Sequence, residues 1–409
     1  MLTPRAGLPL HVVVAPDKFK GSLTALEVAE RIGTGFGAGF AAALAPGAPA
    51  RPEPVLRTTA LPVADGGEGT VEAALAAGWR PLRVQVAGPT GQRVPAVLAR
   101  DGDVALVEMA QASGLDRLPG GRRAPLAAST RGTGELVRAA LDDGARELVL
   151  AVGGSASTDG GAGLLAALGA RLLDAEGAPV PDGGAGLARL ARVELDGLDP
   201  RARRARWTLA ADVDNPLLGE RGAAAVFGPQ KGASAADVAV LEAALTRFAD
   251  ALAAAGAQDA RELAGAGAAG GTGLVALGLL GARRRPGVEV VLELAGWAHR
   301  TAGADLVITG EGSFDEQSLG GKTPVGVAAA AARLGAPVVV LSGRRALAQQ
   351  RWRAAGFTDA RALTDLEPDP ATCIAHAGAL LERLARGLGA EVAAELSAAG
   401  RWGTRPGAG

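Results

Sequence analysis

The chain has 409 residues, 48% hydrophobic and 21% charged, with 42 basic and 43 acidic residues giving a formal net charge of −1. That length exceeds one ordinary core and predicts two domains, and the balanced charge excludes an electrostatic footprint for nucleic acid or an anionic membrane. A single cysteine, Cys373, rules out an intrachain disulfide or a thiolate metal cluster, and no run reaches the roughly 18 apolar residues of a membrane span.

The first strand is predicted at Leu10–Ala15, a mostly apolar run with three valines. The stretch before it, Met1–Leu10, lacks the layout of a signal peptide, so a cytoplasmic location is expected by elimination. A turn follows at Asp17–Gly21, then a helix with Thr24 and Glu27 as a capping box and Leu26, Ala29, Ile32 and Phe36 on its apolar face. Leu148–Val152 reads as a strand, Gly153–Gly163 as a glycine-rich loop and Leu164–Leu173 as a helix. Ala251–Gly273 is rich in Ala and Gly and reads as a small-residue helix with a packed loop. Leu306–Thr309 is a further strand, followed by a loop and a helix with Thr323 as N-cap and Pro324 at N1. Val338–Leu341 closes the series. Strand, loop and helix alternate, so the expected class is α/β: a Rossmann-like parallel-sheet domain plus a second α/β domain. The ends share this grammar most clearly, which places residues 1–85 and 290–409 in one discontinuous domain with 86–289 inserted.

Composition points to the residues that carry chemistry. Only four of the 42 basic residues are lysine, and Asn215 is the single asparagine. Lysine is a compact point charge that arginine does not replace at a tight phosphate site. Lys18 and Lys20 stand in Asp17-Lys18-Phe19-Lys20-Gly21-Ser22, beside a helix start whose N–H groups favour anions. Asp65-Gly66-Gly67-Glu68-Gly69-Thr70 sets two acids around paired glycines, suited to a hard cation such as Mg²⁺ and to close backbone approach, although Asp-Gly-Gly is also an ordinary turn.

The stretch 153–163 holds five glycines, three hydroxyls and one acid, a phosphate-cradling composition without a Walker A ending or dinucleotide spacing. Within it Gly153, Gly154, Ser155, Ser157, Asp159, Gly160 and Gly161 are the candidate nucleotide contacts. Asp212-Val213-Asp214-Asn215 places carboxylates at i and i+2, able to chelate a metal or act as base; an Asx-turn before Pro216 is the plainer reading. Lys231 lies in Gly-Pro-Gln-Lys-Gly, and Glu311, Asp315 and Lys322 share one later segment. His11, His299 and His376 lie outside these segments. The five tryptophans, Trp79, Trp207, Trp297, Trp352 and Trp402, show no stacking spacing. A site of acids, lysines and backbone donors without histidine fits phosphoryl transfer.

At these residues the chain resembles the bacterial glycerate kinase family of the type I, two-domain group. The segments are APDKFKGSLTA, PVADGGEGT, VEMAQASGL, STRGTGELVRAAL, VGGSASTDGGAG, ADVDNPLLGERGAAAVFGPQKGA, GAGAAGGTG and DLVITGEGSFDEQSLGGKTPVGVA, in family order from about 11 to 345. The resemblance implies ATP and Mg²⁺, D-glycerate as acceptor, 2-phosphoglycerate as product and an active cleft between the two domains. It is compatible with a homodimer. Ser157-Thr158 stands where the family more often has Thr-Asn, and Ser313-Phe314 where Arg-Ile is commoner, a change that bears on acceptor preference. The expected catalytic set is Lys18, Asp65, Asp212, Asp214 and Lys322. Asp17, Lys20, Ser22, Gly66, Gly67, Asn215, Lys231, Glu311 and Asp315 are expected on substrate or phosphate, and Asp65, Glu68 and Asp212 on the metal. A kinase for the 3-hydroxyl or for another hydroxy acid, and a non-catalytic hydroxy-acid or nucleotide sensor, are the alternatives.

Overall fold

The structure, a computed structural model, describes residues 8–44 and 56–398; Met1–Gly7 and Trp402 lie outside them. In chain order its strands are β1 (Leu10–Val14), β2 (Leu56–Ala60), β3 (Arg80–Ala87), β4 (Arg93–Asp101), β5 (Val104–Glu108), β6 (Glu147–Ala151), β7 (Arg171–Leu173), β8 (Arg192–Glu194), β9 (Arg206–Ala210), β10 (Arg283–Arg285), β11 (Leu306–Phe314), β12 (Val338–Arg345) and β13 (Asp359–Ala362). The chain divides into two compact units, one made of residues up to 64 with those from 291, the other of 65–290. The expected boundary at 85 falls instead at 64. Every residue of β3 pairs antiparallel with β4, from Arg80–Arg100 to Ala87–Arg93, which ties this stretch to the middle segment.

The first unit holds a five-stranded parallel sheet ordered β13-β12-β11-β1-β2. Counted along this unit's own strands the order is 2-1-3-4-5, a doubly wound arrangement whose direction reverses between β1 and β11. All five residues of β1 are buried, as a parallel strand covered on both faces requires. The helix Ala25–Leu44 begins at the expected capping box: Glu27 N–H donates to Thr24 Oγ1 at 3.2 Å, and Thr24 N–H to Glu27 Oε2 at 2.8 Å. Its buried face carries Ile32, Phe36 and Phe40 and packs on the helix Ala377–Ala398. Gly35 and Gly39 sit so close to the carbonyls of Glu382 and Arg386 that a Cβ at either would collide with backbone.

The second unit is built on a six-stranded mixed sheet, β10-β9-β6-β5-β4-β3, in which β5, β6, β9 and β10 are parallel and β3 and β4 antiparallel. β7 and β8 form a separate antiparallel pair. The predicted helix Leu164–Leu173 is shorter and shifted, Ala162–Ala167. Gly169, at φ +104°, turns the chain out of the helix, and Arg171–Leu173 pairs with β8. The small-residue stretch resolves into the end of the helix Ala235–Ala254, a loop, and a helix Ala268–Gly278 with left-handed backbone at Ala269, Gly270 and Gly271. Among the described residues no helix is long and apolar enough to cross a membrane.

Two strands run further than the sequence pattern suggests. β11 continues through Gly310, Glu311, Gly312 and Ser313 to Phe314, and β12 to Arg345, because they stay in register with Glu311 opposite Ser342 and Ser313 opposite Arg344. Glu311 is therefore a strand residue, not a loop residue.

Candidate active site

In the first unit, the loops leaving β1 and β11 meet at the reversal point of the sheet, where open α/β sheets bind ligands. Asp17 N–H donates to the Gly310 carbonyl at 2.8 Å, so the Asp17–Ser22 turn is fastened to β11. Glycine at 310 lets β12 close on this strand, since a side chain there would strike the Leu341 carbonyl; at Gly312 the turn comes within 3.4 Å of where a Cβ would stand, at the Lys20 backbone nitrogen. The Asp17 carboxylate accepts from Lys18 N–H and from Thr323 Oγ1, both at 2.7 Å. Thr323 thus does not cap its own helix. The N-cap position of Thr323–Ala332 is Lys322, without a side-chain cap, and the threonine hydroxyl is spent on Asp17.

Glu311 is buried beside this turn, and its Oε1 has no hydrogen-bond partner. Burial pushes its pKa up to about 7, against the Ser318 hydroxyl and Lys322, which favour the charged form, and with Asp17 and Asp315, which oppose it. Lys322 Nζ reaches Gln317 Oε1 at 3.5 Å, while Lys20 is exposed. Ser22 and Asp315 serve their own turns: Ser22 Oγ donates to the Phe19 carbonyl at 3.1 Å, and Asp315 accepts from Ser313 Oγ at 2.9 Å and Gln317 N–H at 3.0 Å. Ser313, standing where arginine is commoner in the family that the sequence resembles, accepts from the Arg344 guanidinium on β12 at 3.2 Å. A cation is present here from the neighbouring strand.

In the second unit, the loops from the carboxyl ends of β6 and β9 and the Asp65–Thr70 turn lie together. Gly153 N–H donates to the Gly66 carbonyl at 3.2 Å, and a Cβ on Gly66, at φ +83°, would stand 2.8 Å from the Gly287 Cα. Only glycine permits that packing. Asp212 Oδ1 accepts from Gly287 N–H at 2.7 Å. Asp212 keeps accessible surface, yet crowding by protein and the nearby Asp65 carboxylate raise its pKa to about 6. Among the described residues no three His, Cys, Asp or Glu side chains gather as a metal cage. Mg²⁺ asks for less: one or two carboxylates, with phosphate oxygens and water completing its shell. The Asp65 and Asp212 pair fits that demand.

The glycine-rich loop differs from the expected cradle. Gly153 and Gly154 are accessible, but Ser157, Asp159, Gly160 and Gly161 are buried; the last three are bonded inward, while Ser157 accepts only at its carbonyl and its Oγ has no partner. Gly160 N–H donates to the Gly270 carbonyl at 3.0 Å and Gly161 N–H to Asp159 Oδ1 at 3.2 Å, so these donors are not aimed at solvent. Asp159 also accepts from Thr130 N–H at 2.8 Å, Thr130 Oγ1 at 2.9 Å and Gly163 N–H at 3.2 Å. It bridges the N-terminal ends of Arg131–Asp142 and Ala162–Ala167, where helix dipoles favour an anion, while full burial pushes its pKa up.

Lys231, also fully buried, donates from Nζ to Ser155 Oγ at 2.9 Å and the Ser157 carbonyl at 2.5 Å, holding the loop from behind. Desolvation lowers its pKa to about 7, opposed by Asp159. Asp214 is exposed and pairs with Arg221 at 3.4 Å, and Asn215 Nδ2 donates to the Arg221 carbonyl at 2.8 Å, both shaping their own turn. Sequence reasoning missed Glu108, buried at the end of β5, whose Oε2 accepts from Val71 N–H at 2.8 Å in the first turn of Thr70–Ala76. An acid closing the apolar run Val104–Val107 was the available signal.

Of the histidines, His11 lies within β1 and meets Thr59 Oγ1 at 2.9 Å, away from both residue groups. Acids, lysines and backbone donors arranged at strand ends without a histidine define the chemistry of a phosphotransferase. The model of the glycerate kinase family matches residues 12–393. The chain is 47% identical over 337 residues to the glycerate kinase of Bacillus subtilis strain 168, spanning 82% of this chain and 85% of that one. It is 43% identical, over 82% of this chain and 85% of the relative, to the glycerate 2-kinase of Escherichia coli K12. A crystal structure from Salmonella typhimurium LT2, provisionally assigned as glycerate kinase 2, superposes with a TM-score of 0.79 at 41% identity, covering 96% of this chain and all of that one. The chain belongs to the glycerate kinase family.

Proposed function

We propose that the protein transfers the γ-phosphoryl group of ATP to the 2-hydroxyl of D-glycerate, giving 2-phosphoglycerate and ADP, with Mg²⁺ as the metal. Family membership over residues 12–393 is the observation that carries this reading. The Asp65 and Asp212 pair beside the accessible Gly153–Gly154 edge supports it chemically. In this reading Asp65 and Asp212 hold the metal, with Glu68 near them in the same turn as a water-mediated ligand. When bound, Mg²⁺ neutralises phosphate charge as the bridging bond breaks.

The Gly66–Gly67 backbone and the Gly153–Gly154 edge bind nucleotide phosphates, with Ser155 behind them on Lys231. Ser157, Asp159, Gly160, Gly161 and Lys231 hold that edge in shape from inside, and Asp214 and Asn215 shape the Asp212 turn. Lys18, Lys20 and Lys322 bind the migrating phosphoryl group or the acceptor carboxylate, with Asp17, Ser22 and Asp315 ordering the turns that carry them. The test is ATP- and Mg²⁺-dependent phosphorylation of D-glycerate followed by ³¹P NMR. A 2-phosphoglycerate signal is expected. A 3-phosphoglycerate signal, or turnover only on another hydroxy acid, would replace the acceptor chemistry, and ATP binding without transfer would replace the kinase by a sensor.

A further inference from the structure

We propose that Glu311 is the group that takes the proton from the acceptor hydroxyl as it attacks the γ-phosphorus, an assignment that rests on the kinase reading above. Three observations lead there. Glu311 sits on β11 at the reversal point of the doubly wound sheet, where ligands enter. Its side chain is nine-tenths buried, and Oε1 lacks any partner, an expensive arrangement unless a ligand group completes it. It is also held rigidly: Glu311 lies opposite Ser342, and Gly310, Gly312 and Gly343 let β12 and the Phe19 turn close on its backbone.

The charged groups that act on it come from two elements: the β1 turn brings Asp17, and the segment after β11 brings Asp315 and Lys322, with the Ser318 hydroxyl beside them. Their balance, under burial, leaves the carboxyl ionising at about 7, matched to proton transfer near neutral pH. In the step, the hydroxyl O–H bond breaks and its proton passes to the Glu311 carboxylate. The oxygen's electron pair forms the new O–P bond, the bridging P–O bond breaks, and the electrons of that broken bond leave on the ADP oxygen. Glu311 then returns its proton to solvent.

The experiment compares wild type with Glu311→Gln and Ser318→Ala across pH 5.5–9 under saturating MgATP. Wild-type kcat/KM for glycerate should rise with pH through about 7, since only the ionised carboxylate accepts a proton. Glu311→Gln should lose about 10²–10⁴-fold in kcat with KM little changed, and lose that acidic limb. Ser318→Ala removes a nearby hydroxyl that favours the ionised form, so its limb should move to higher pH. Loss confined to KM, a retained limb in Glu311→Gln, or an unmoved limb in Ser318→Ala overturns the assignment. The Ser318→Ala profile decides if the glutamine variant fails to fold. A wild-type protein that transfers phosphate to no hydroxy acid would sink the kinase reading instead, a result distinct from all of these.

Discussion

Lys231 and Asp212 illustrate what single residues reveal and conceal. Scarcity singled out the four lysines, but a count carries no depth. Lys20 is exposed, whereas Lys231 is sealed under the glycine loop with both bonds made to protein. Its burial has a measurable consequence. Between about pH 7 and the ordinary lysine range, the folded chain carries this amine neutral while the unfolded chain carries it protonated. The unfolded state then binds more protons, so this residue's contribution to stability rises with pH. In urea denaturation, the stability of wild type relative to Lys231→Met should therefore increase from pH 7 to pH 9; a flat difference would mean that Asp159 keeps the amine charged. Asp212→Asn should lower turnover by about 10²–10⁴-fold with an unchanged circular dichroism spectrum. Near-wild-type turnover would remove Asp212 from the machinery. The sequence motif found this acid, but its Gly287 partner, 75 residues on, could only be seen in the fold.

At the scale of elements, local signals were readable where both partners were local. The Thr24–Glu27 box starts its helix as expected, since cap and first turn lie within four residues. From sequence alone β11 ends at Thr309, because Gly310 and Gly312 weaken a strand taken alone. In the sheet those glycines are what allow Leu341 and the Phe19 turn to approach, and register with β12 supplies the missing hydrogen bonds. The same reasoning predicts the cost of filling such a contact. Gly39→Ala puts a methyl group against the Arg386 carbonyl, so the two long helices must separate. Urea denaturation should show a loss of about 1–3 kcal/mol. Gly37→Ala, on the same helix with only a Leu56 methyl 3.8 Å away, should cost far less, and equal losses would contradict this packing.

For the whole molecule, the α/β class was legible from alternating elements, whereas strand order was not. The sheet of the first unit depends on β1 pairing with β11, and His11 N–H finds the Asp305 carboxylate across 294 positions of sequence. No local pattern encodes such a meeting. Nor did composition mark the junction at 64, because Asp65–Thr70 follows an apolar segment without any linker-like change. The interrupted first unit also sets a timetable for biosynthesis. A ribosome delivers β1, β2 and the helix Ala25–Leu44 first, yet their partners β11–β13 and the helix that covers Phe36 and Phe40 emerge last. The uninterrupted segment 65–290 can close its sheet in the meantime. Ribosome-stalled chains ending near residue 330, with the segment to 290 clear of the exit tunnel, should therefore give a protease-resistant core beginning near 65 and a readily cut N-terminal arm; uniform protection would rule out that order. The nascent arm, with its apolar helix face waiting for the end of translation, is the part of this protein that most needs a chaperone.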